Sequence, residues 1–247
     1  MTGGAQRWSS DTPLPITDFE TVLTTTRAVR RRLDLDRPVP RGEVLDCLRL
    51  ALQAPTGADA EDWRFILIGD PGVKLAVGDE YRRAFDREVR PRLPGLLAGA
   101  GPADAAGAGP EAAERRRKAR VYGGAEYLAD NIHRVPWLVL ACATRPYPGP
   151  HMAPSVFGSV FPAVWSFQLA LRSRGLGSLI TTLHLRRPEG LAALLGIPAG
   201  VTQCALLPVA YTLGTDFRPA ARRPVADVVF ADVWGRPLDG TGEEDDR

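Results

Sequence analysis

Several groups of residues in this chain have types and spacings that could support chemistry. Arg27, Arg30, Arg31 and Arg32 crowd one short segment. On a helix, Arg27 and Arg31 would stand one turn apart and form a fork for an anionic group such as phosphate. Alternatively, they are cations complementing a helix C-terminus. Asp59, Glu61 and Asp62 could do acid–base work, or they could be solvated or capping groups of a loop. His133, His151 and His184 have no triad or metal spacing, and read as surface or hydrogen-bonded structural residues. Cys47, Cys142 and Cys204 lie far apart without a CxxC, which argues against a metal site and for a reducing compartment. There is no Gly-x-Gly-x-x-Gly opening a helix, no Walker loop and no Gly-x-Ser-x-Gly elbow.

The elements that must position these residues follow from periodicity. Thr17-Asp-Phe-Glu20 has the form of a capping box, and Phe19, Val22, Leu23, Thr26, Val29 and Leu33 continue from it at helical spacing, with the arginines in the last turn. Val44, Leu45, Leu48, Ala51 and Leu52 mark a second helix that Pro55 should end. A small-residue turn, Pro55-Thr-Gly57, then leads into a strand over 64–68; its bare backbone could lie against a planar ligand. Helices are expected over 73–89 and 111–132, and strands over 137–143, 178–183, 202–211 and 225–231. The run from Phe157 to Leu171 is apolar nearly all round and predicts a buried central helix. Residues 91–110 are mostly Ala, Gly and Pro, which suits a mobile insertion. The expected organisation is a loose arm (1–16), a single domain (17–235) and a polar tail (236–247).

Net charge is only +2 and the basic runs are scattered, so nothing calls for nucleic acid or an anionic membrane. The N-terminus lacks the apolar core of a signal peptide, and no apolar run is expected to be long enough to span a bilayer. A soluble, cytoplasmic α+β or α/β protein is the expectation.

Several segments taken in order resemble the FMN-dependent nitroreductase family, most closely the branch common in actinobacteria. Thr25-Thr-Arg-Ala-Val-Arg-Arg-Arg-Leu33, Gln53-Ala-Pro-Thr-Gly57 and Trp63-Arg-Phe65 carry its N-terminal half. Phe161-Pro-Ala-Val164, Arg174-Gly-Leu-Gly177, Thr181-Thr-Leu-His184, Leu195-Gly-Ile-Pro198, Pro208-Val-Ala-Tyr211 and Arg222-Arg-Pro224 continue it. The resemblance implies an α+β fold, a central mixed β-sheet flanked by helices, in an intertwined homodimer with FMN at the interface. It further implies that Arg27, Ala28, Val29 and Arg31 hold the cofactor, with Arg222 or Arg223 as a second phosphate ligand. By the same resemblance Pro55, Thr56, Gly57 and Asp59 lie in the turn against the ring, and Thr181, Thr182 and Leu183 approach its reactive edge.

The departures are specific. Where the family turn reads Asn and Gln, this chain has Asp59 and Glu61, and an ionised carboxylate only accepts hydrogen bonds. Ser166 stands where Asn is common, Ala210-Tyr-Thr212 replaces Gly-Tyr-Pro, and no Glu-Gly matches the flavin-N5 motif. The acidic turn tunes the flavin, adapts the site to a basic substrate, or marks a site without FMN. The expected activity is hydride transfer from NAD(P)H through FMN to a small organic acceptor such as a nitroaromatic or quinone. The alternatives are a flavin-dependent oxidase or dehydrogenase of secondary metabolism, and a flavin-free protein of the same fold.

Overall fold

Strands β1 (Trp63–Ile68), β2 (Trp137–Ala143), β3 (Leu176–Ser178) and β4 (Thr202–Tyr211) form one sheet in the order β1-β2-β4-β3. Alternation along β2 shows why both faces are covered. Val139, Ala141 and Ala143 point to one core cluster, Leu138, Leu140 and Cys142 to the other, and all are buried. A strand buried on both faces reads as one continuous apolar run, which is how β2 and β4 were legible residue for residue. The ladders are antiparallel, where a mixed sheet is expected; the parallel component is a single bridge between Ala28 and Ser178.

The protein is described by a computed structural model covering residues 18–97, 109–147 and 149–238. The expectations for the N-terminal arm, for residues 98–108 of the insertion and for the end of the C-terminal tail lie outside these residues.

Helices α1 (Phe19–Thr25), α2 (Arg41–Ala51), α3 (Pro71–Glu88), α4 (Leu93–Leu97), α5 (Pro110–Asn131), α6 (Ala153–Ser173) and α7 (Pro188–Leu195) surround the sheet. α2 and α6 pack on one face through Val44, Cys47, Val164, Phe167 and Leu171. α3, α5 and α7 cover the other through Tyr81, Phe85, Leu128 and Leu191. By length and composition α6, with 21 residues and a mean hydropathy of 1.2, is apolar enough to cross a membrane, contrary to the expectation from the sequence. Val160, Val164, Phe167 and Leu171 are spent on the core, but Trp165 is 41% exposed, so the helix is buried on one side and not all round as expected; it continues through Pro162.

Two expected strands differ from the structure. The strand over 225–231 is instead a 3-10 turn, Val225–Asp227, in an exposed segment. Its valines have strand propensity but gain no partner strand within the described residues of the chain. The strand over 178–183 is cut short: β3 ends at Ser178, Thr181 makes one bridge to Leu206, and Leu183–Arg186 forms a 3-10 turn.

Candidate functional site

The site begins where α1 fails to continue. Asp18 caps α1, its Oδ2 accepting from Thr21 N at 2.6 Å, and the helix stops at Thr25. Val29 N then donates to Ser178 O at 3.0 Å, so residues 26–29 run extended along the edge of the sheet; a turn follows, with Leu33 N donating to Arg30 O at 3.1 Å, and Leu33 bridges to Thr212. Gly177 makes this approach possible: a Cβ there would lie 2.6 Å from Thr212 Cγ2 and 3.2 Å from Val29 Cβ. The helical fork of Arg27 and Arg31 is therefore corrected. Arg27 Nη2 donates to Thr24 O (2.6 Å) and Arg218 O (2.8 Å), whereas Arg31 Nη2 donates to Gly123 O on α5 (2.8 Å).

The segments that meet at the parallel Ala28–Ser178 bridge set out polar groups in order. At one end Arg27, Arg172 and Ser178 line a common cleft. Burial, and then the nearby Arg222, lower the pKa of Arg27. Arg223, its neighbour, is exposed. At the other end Arg30 lines a cavity of about 280 Å³ with Tyr81, Phe85, Tyr122 and Thr181 to Leu183. Arg30 Nε is buried without an acceptor among the described residues. Tyr81 Oη and Thr181 Oγ1 share a hydrogen bond of 2.8 Å. Burial raises the Tyr81 pKa, against the opposing effects of Thr181 and Arg30. Arg27 and Arg30 are three positions apart, which at strand rise is about 10 Å at most.

Pro55, Thr56 and Gly57 pack elsewhere. Gly57 N donates to Ser159 Oγ on α6 at 3.0 Å, and Glu61 N to Thr56 Oγ1 at 3.3 Å. None of Pro55, Thr56, Gly57, Asp59 or Glu61 lines the Arg30 cavity. Asp59 and Glu61 are exposed, while Asp62 pairs with Arg145. The turn holds Ala58 (φ 52°), Asp59 (φ 52°) and Glu61 (φ 45°) in the left-handed region, at about 1 kcal/mol each. Ser166 is half-buried on α6. Within one chain, then, the acidic turn and the arginine cradle are separate surfaces.

Sequence reasoning missed Arg30, Arg172 and Tyr81. It also misread His184, which is 1% exposed, with neither ring nitrogen hydrogen-bonded among the described residues. Cys47, Cys142 and Cys204 are free and buried, as expected of small apolar residues; burial pushes Cys47 up to about 12.

Comparison with known proteins agrees with this architecture. The Nitroreductase family model matches residues 23–211. An NADH dehydrogenase of Thermus thermophilus is 37% identical over 65 residues, which is 26% of this chain and 30% of that protein. The chain thus aligns with under a third of that relative. An iodotyrosine deiodinase of Thermotoga neapolitana is 27% identical over 193 residues, 76% of this chain and 86% of the relative. Among solved structures, the FMN and NADPH-dependent nitroreductase NfnB from a Sphigopyxis strain superposes with a TM-score of 0.63 at 18% identity, covering 88% of this chain and 100% of that one.

Proposed function

Because the chain belongs to the Nitroreductase family, we propose that it is an FMN-dependent oxidoreductase carrying electrons from NAD(P)H to a small organic acceptor. The observation that carries this reading is the order of cations along one cradle, with Arg27 and Arg222 at one end and the unpaired Arg30 Nε beside Thr181 at the other.

The donor set fits the cofactor. A phosphate asks for guanidinium groups, and Arg27, with Arg222 near enough to lower its pKa, would offer them. The flavin ring asks for a flat, largely apolar cavity and a cation at its polar edge; Phe85, Tyr122, Leu183 and Arg30 provide these. Ala28 and Val29 would supply backbone between the two ends, and the Ala28–Ser178 bridge fixes their direction. When bound, FMN would supply the redox chemistry between NAD(P)H and an acceptor such as a nitroaromatic or quinone. The protein's part is to bind, orient and set the field. Arg30 favours negative charge at its end of the cavity, and the Tyr81–Thr181 pair offers a hydroxyl held in place by a second hydroxyl. Asp59 and Glu61 stand outside this cavity, so their charges do not oppose Arg30 within the same chain. No side chain of the cavity stands out as the proton donor.

The test is a visible spectrum of the purified protein followed by FMN titration. Flavin bands near one per chain are expected, with affinity falling about tenfold in Arg27→Ala, the loss of one partly solvated charge-assisted contact. A colourless protein that takes up no FMN would overturn the proposal in favour of flavin-free chemistry on this fold.

The same reading makes the active species a homodimer. The C-terminal segment beyond Phe217 leaves Val225, Val228 and Val233 exposed and Trp234 92% exposed. An apolar run of this kind calls for cover, and a second copy supplies it symmetrically. Sedimentation velocity should show twice the chain mass at micromolar concentration, and a chain ending at residue 220 should shift toward monomer. A wild-type protein that sediments as a monomer would refute the dimer.

A further inference from the structure

The last turn of α6 carries an arginine whose surroundings leave it incompletely paired. Arg172 is 5% exposed. Its Nη2 donates to Thr25 Oγ1 and to Thr215 O, both at 3.3 Å. Its Nε and Nη1 are buried without an acceptor among the described residues. Its guanidinium lies 4.5 Å from the Phe217 ring, which Arg32 also approaches at 4.3 Å. The carboxylate of this neighbourhood, Asp216, pairs with Arg32 instead. Burial, and then Arg32 and Arg27, lower the Arg172 pKa, which is the mark of a cation among cations.

Leaving charged donors buried and unmatched is costly, and adding like charges makes it worse. Such an arrangement persists where an anion completes it. The orientation of the donors agrees. Arg172, Arg27 and Ser178 line one cleft, and Ser178 Oγ is likewise buried without a partner among the described residues. The cleft is narrow, about 10 Å³. That is room for one oxygen atom, so the body of an anion would sit at the mouth with one oxygen inside.

We propose that Arg172, with Ser178, is a buried anchor for one oxygen of a terminal phosphate, and that it makes the site select a phosphorylated flavin over riboflavin. The inference rests on reading the Arg27–Arg30 cradle as the flavin site, and assigns its selectivity to a residue of the central helix. Arg27 and Arg222, which are more exposed, would attract the anion; Arg172 would recognise it.

The test uses the full chain, with FMN and riboflavin titrated separately by quenching of flavin fluorescence. Inorganic phosphate is added in thermal melts against chloride at matched ionic strength. Arg172→Gln should weaken FMN about 30-fold, the scale of a buried charge-assisted bond, and leave riboflavin within about twofold. Ser178→Ala should weaken FMN by a smaller factor in the same selective way, and it leaves the Phe217 contact intact. Phosphate should raise the wild-type melting temperature and lose that effect in Arg172→Gln. If Arg172→Gln weakens both flavins equally while Ser178→Ala changes neither, Arg172 merely latches Phe217 and the proposal fails. It fails equally if phosphate does not stabilise the wild type. A wild-type protein that binds no flavin, yet is stabilised by phosphate through Arg172, would sink the flavin reading and keep the anion site.

Discussion

Arg30→Gln should cost the protein about 100-fold in FMN affinity, the upper range for a buried charge-assisted interaction, without costing it stability. The two halves of this expectation have separate causes. In the free protein Arg30 Nε is buried without an acceptor among the described residues, and burial lowers the pKa of the guanidinium. A half-buried cation with an unmatched buried donor works against folding, so a neutral side chain of similar reach should leave the melting temperature unchanged or raise it. In the complex the same charge would face the polar edge of the ring, in a cavity walled by Phe85, Val89 and Leu183 that screens it poorly. Removing it should also make bound flavin harder to reduce, a negative shift in midpoint potential. If Arg30 served only to pack α5, where its Cδ approaches Gly124, the outcome would reverse, with a lower melting temperature and intact affinity. A fluorescence titration and a melt on the same preparation therefore decide between the two roles.

The distinction between Arg30 and Arg31 shows where sequence reasoning stops. Val22, Thr26, Val29 and Leu33 recur at helical spacing, and a helix through them puts Arg27 and Arg31 on one face. The backbone does otherwise because Val29 N and Ala28 find partners at Ser178. That pairing is between segments remote in sequence, and nothing local announces it. Once the segment is extended, Arg31 turns to Gly123 O on α5 and Arg30 takes the cavity. Arg172 was hidden for a similar reason. On a helix end an arginine reads as a complement to the macrodipole, and only the closure of Phe217 and Thr215 over it makes it buried. What was legible was what packs by simple period. β2 and β4 fall on their expected residues, because long apolar runs leave few alternatives. The resemblance names Arg27 and Thr181, and the bridge between Ala28 and Ser178 brings their segments side by side. The acidic turn was legible as an oddity, but its three left-handed residues were not, since Ala58 and Glu61 favour other conformations.

His184 should make the protein acid-sensitive. It follows Thr181, Thr182 and Leu183 on the 3-10 turn behind the cavity wall, and burial alone pulls its pKa down to about 4 from 6.5. The folded chain therefore holds the imidazole neutral while the unfolded chain protonates it. The stability this represents is fully present above about pH 6.5 and is lost as the pH falls through about 4. A shift of this size corresponds to about 3 kcal/mol across that window. Carboxylates held by cations, such as Asp216 beside Arg32 and Glu114 beside Arg117, also weaken the fold in acid, but each is solvated and contributes little. The comparison of wild type with His184→Leu isolates the histidine. Leucine removes two buried polar atoms that have no partner among the described residues, so it should be tolerated near neutrality. Urea midpoints measured from pH 7 to 4 should then fall steeply for wild type and gently for the variant. Parallel curves would mean that the imidazole finds a partner in solution and titrates normally. Because His184 stands next to Leu183, the wild-type decline should be accompanied by release of bound flavin at a higher pH than in the variant, a coupling that a histidine remote from the cavity would not produce.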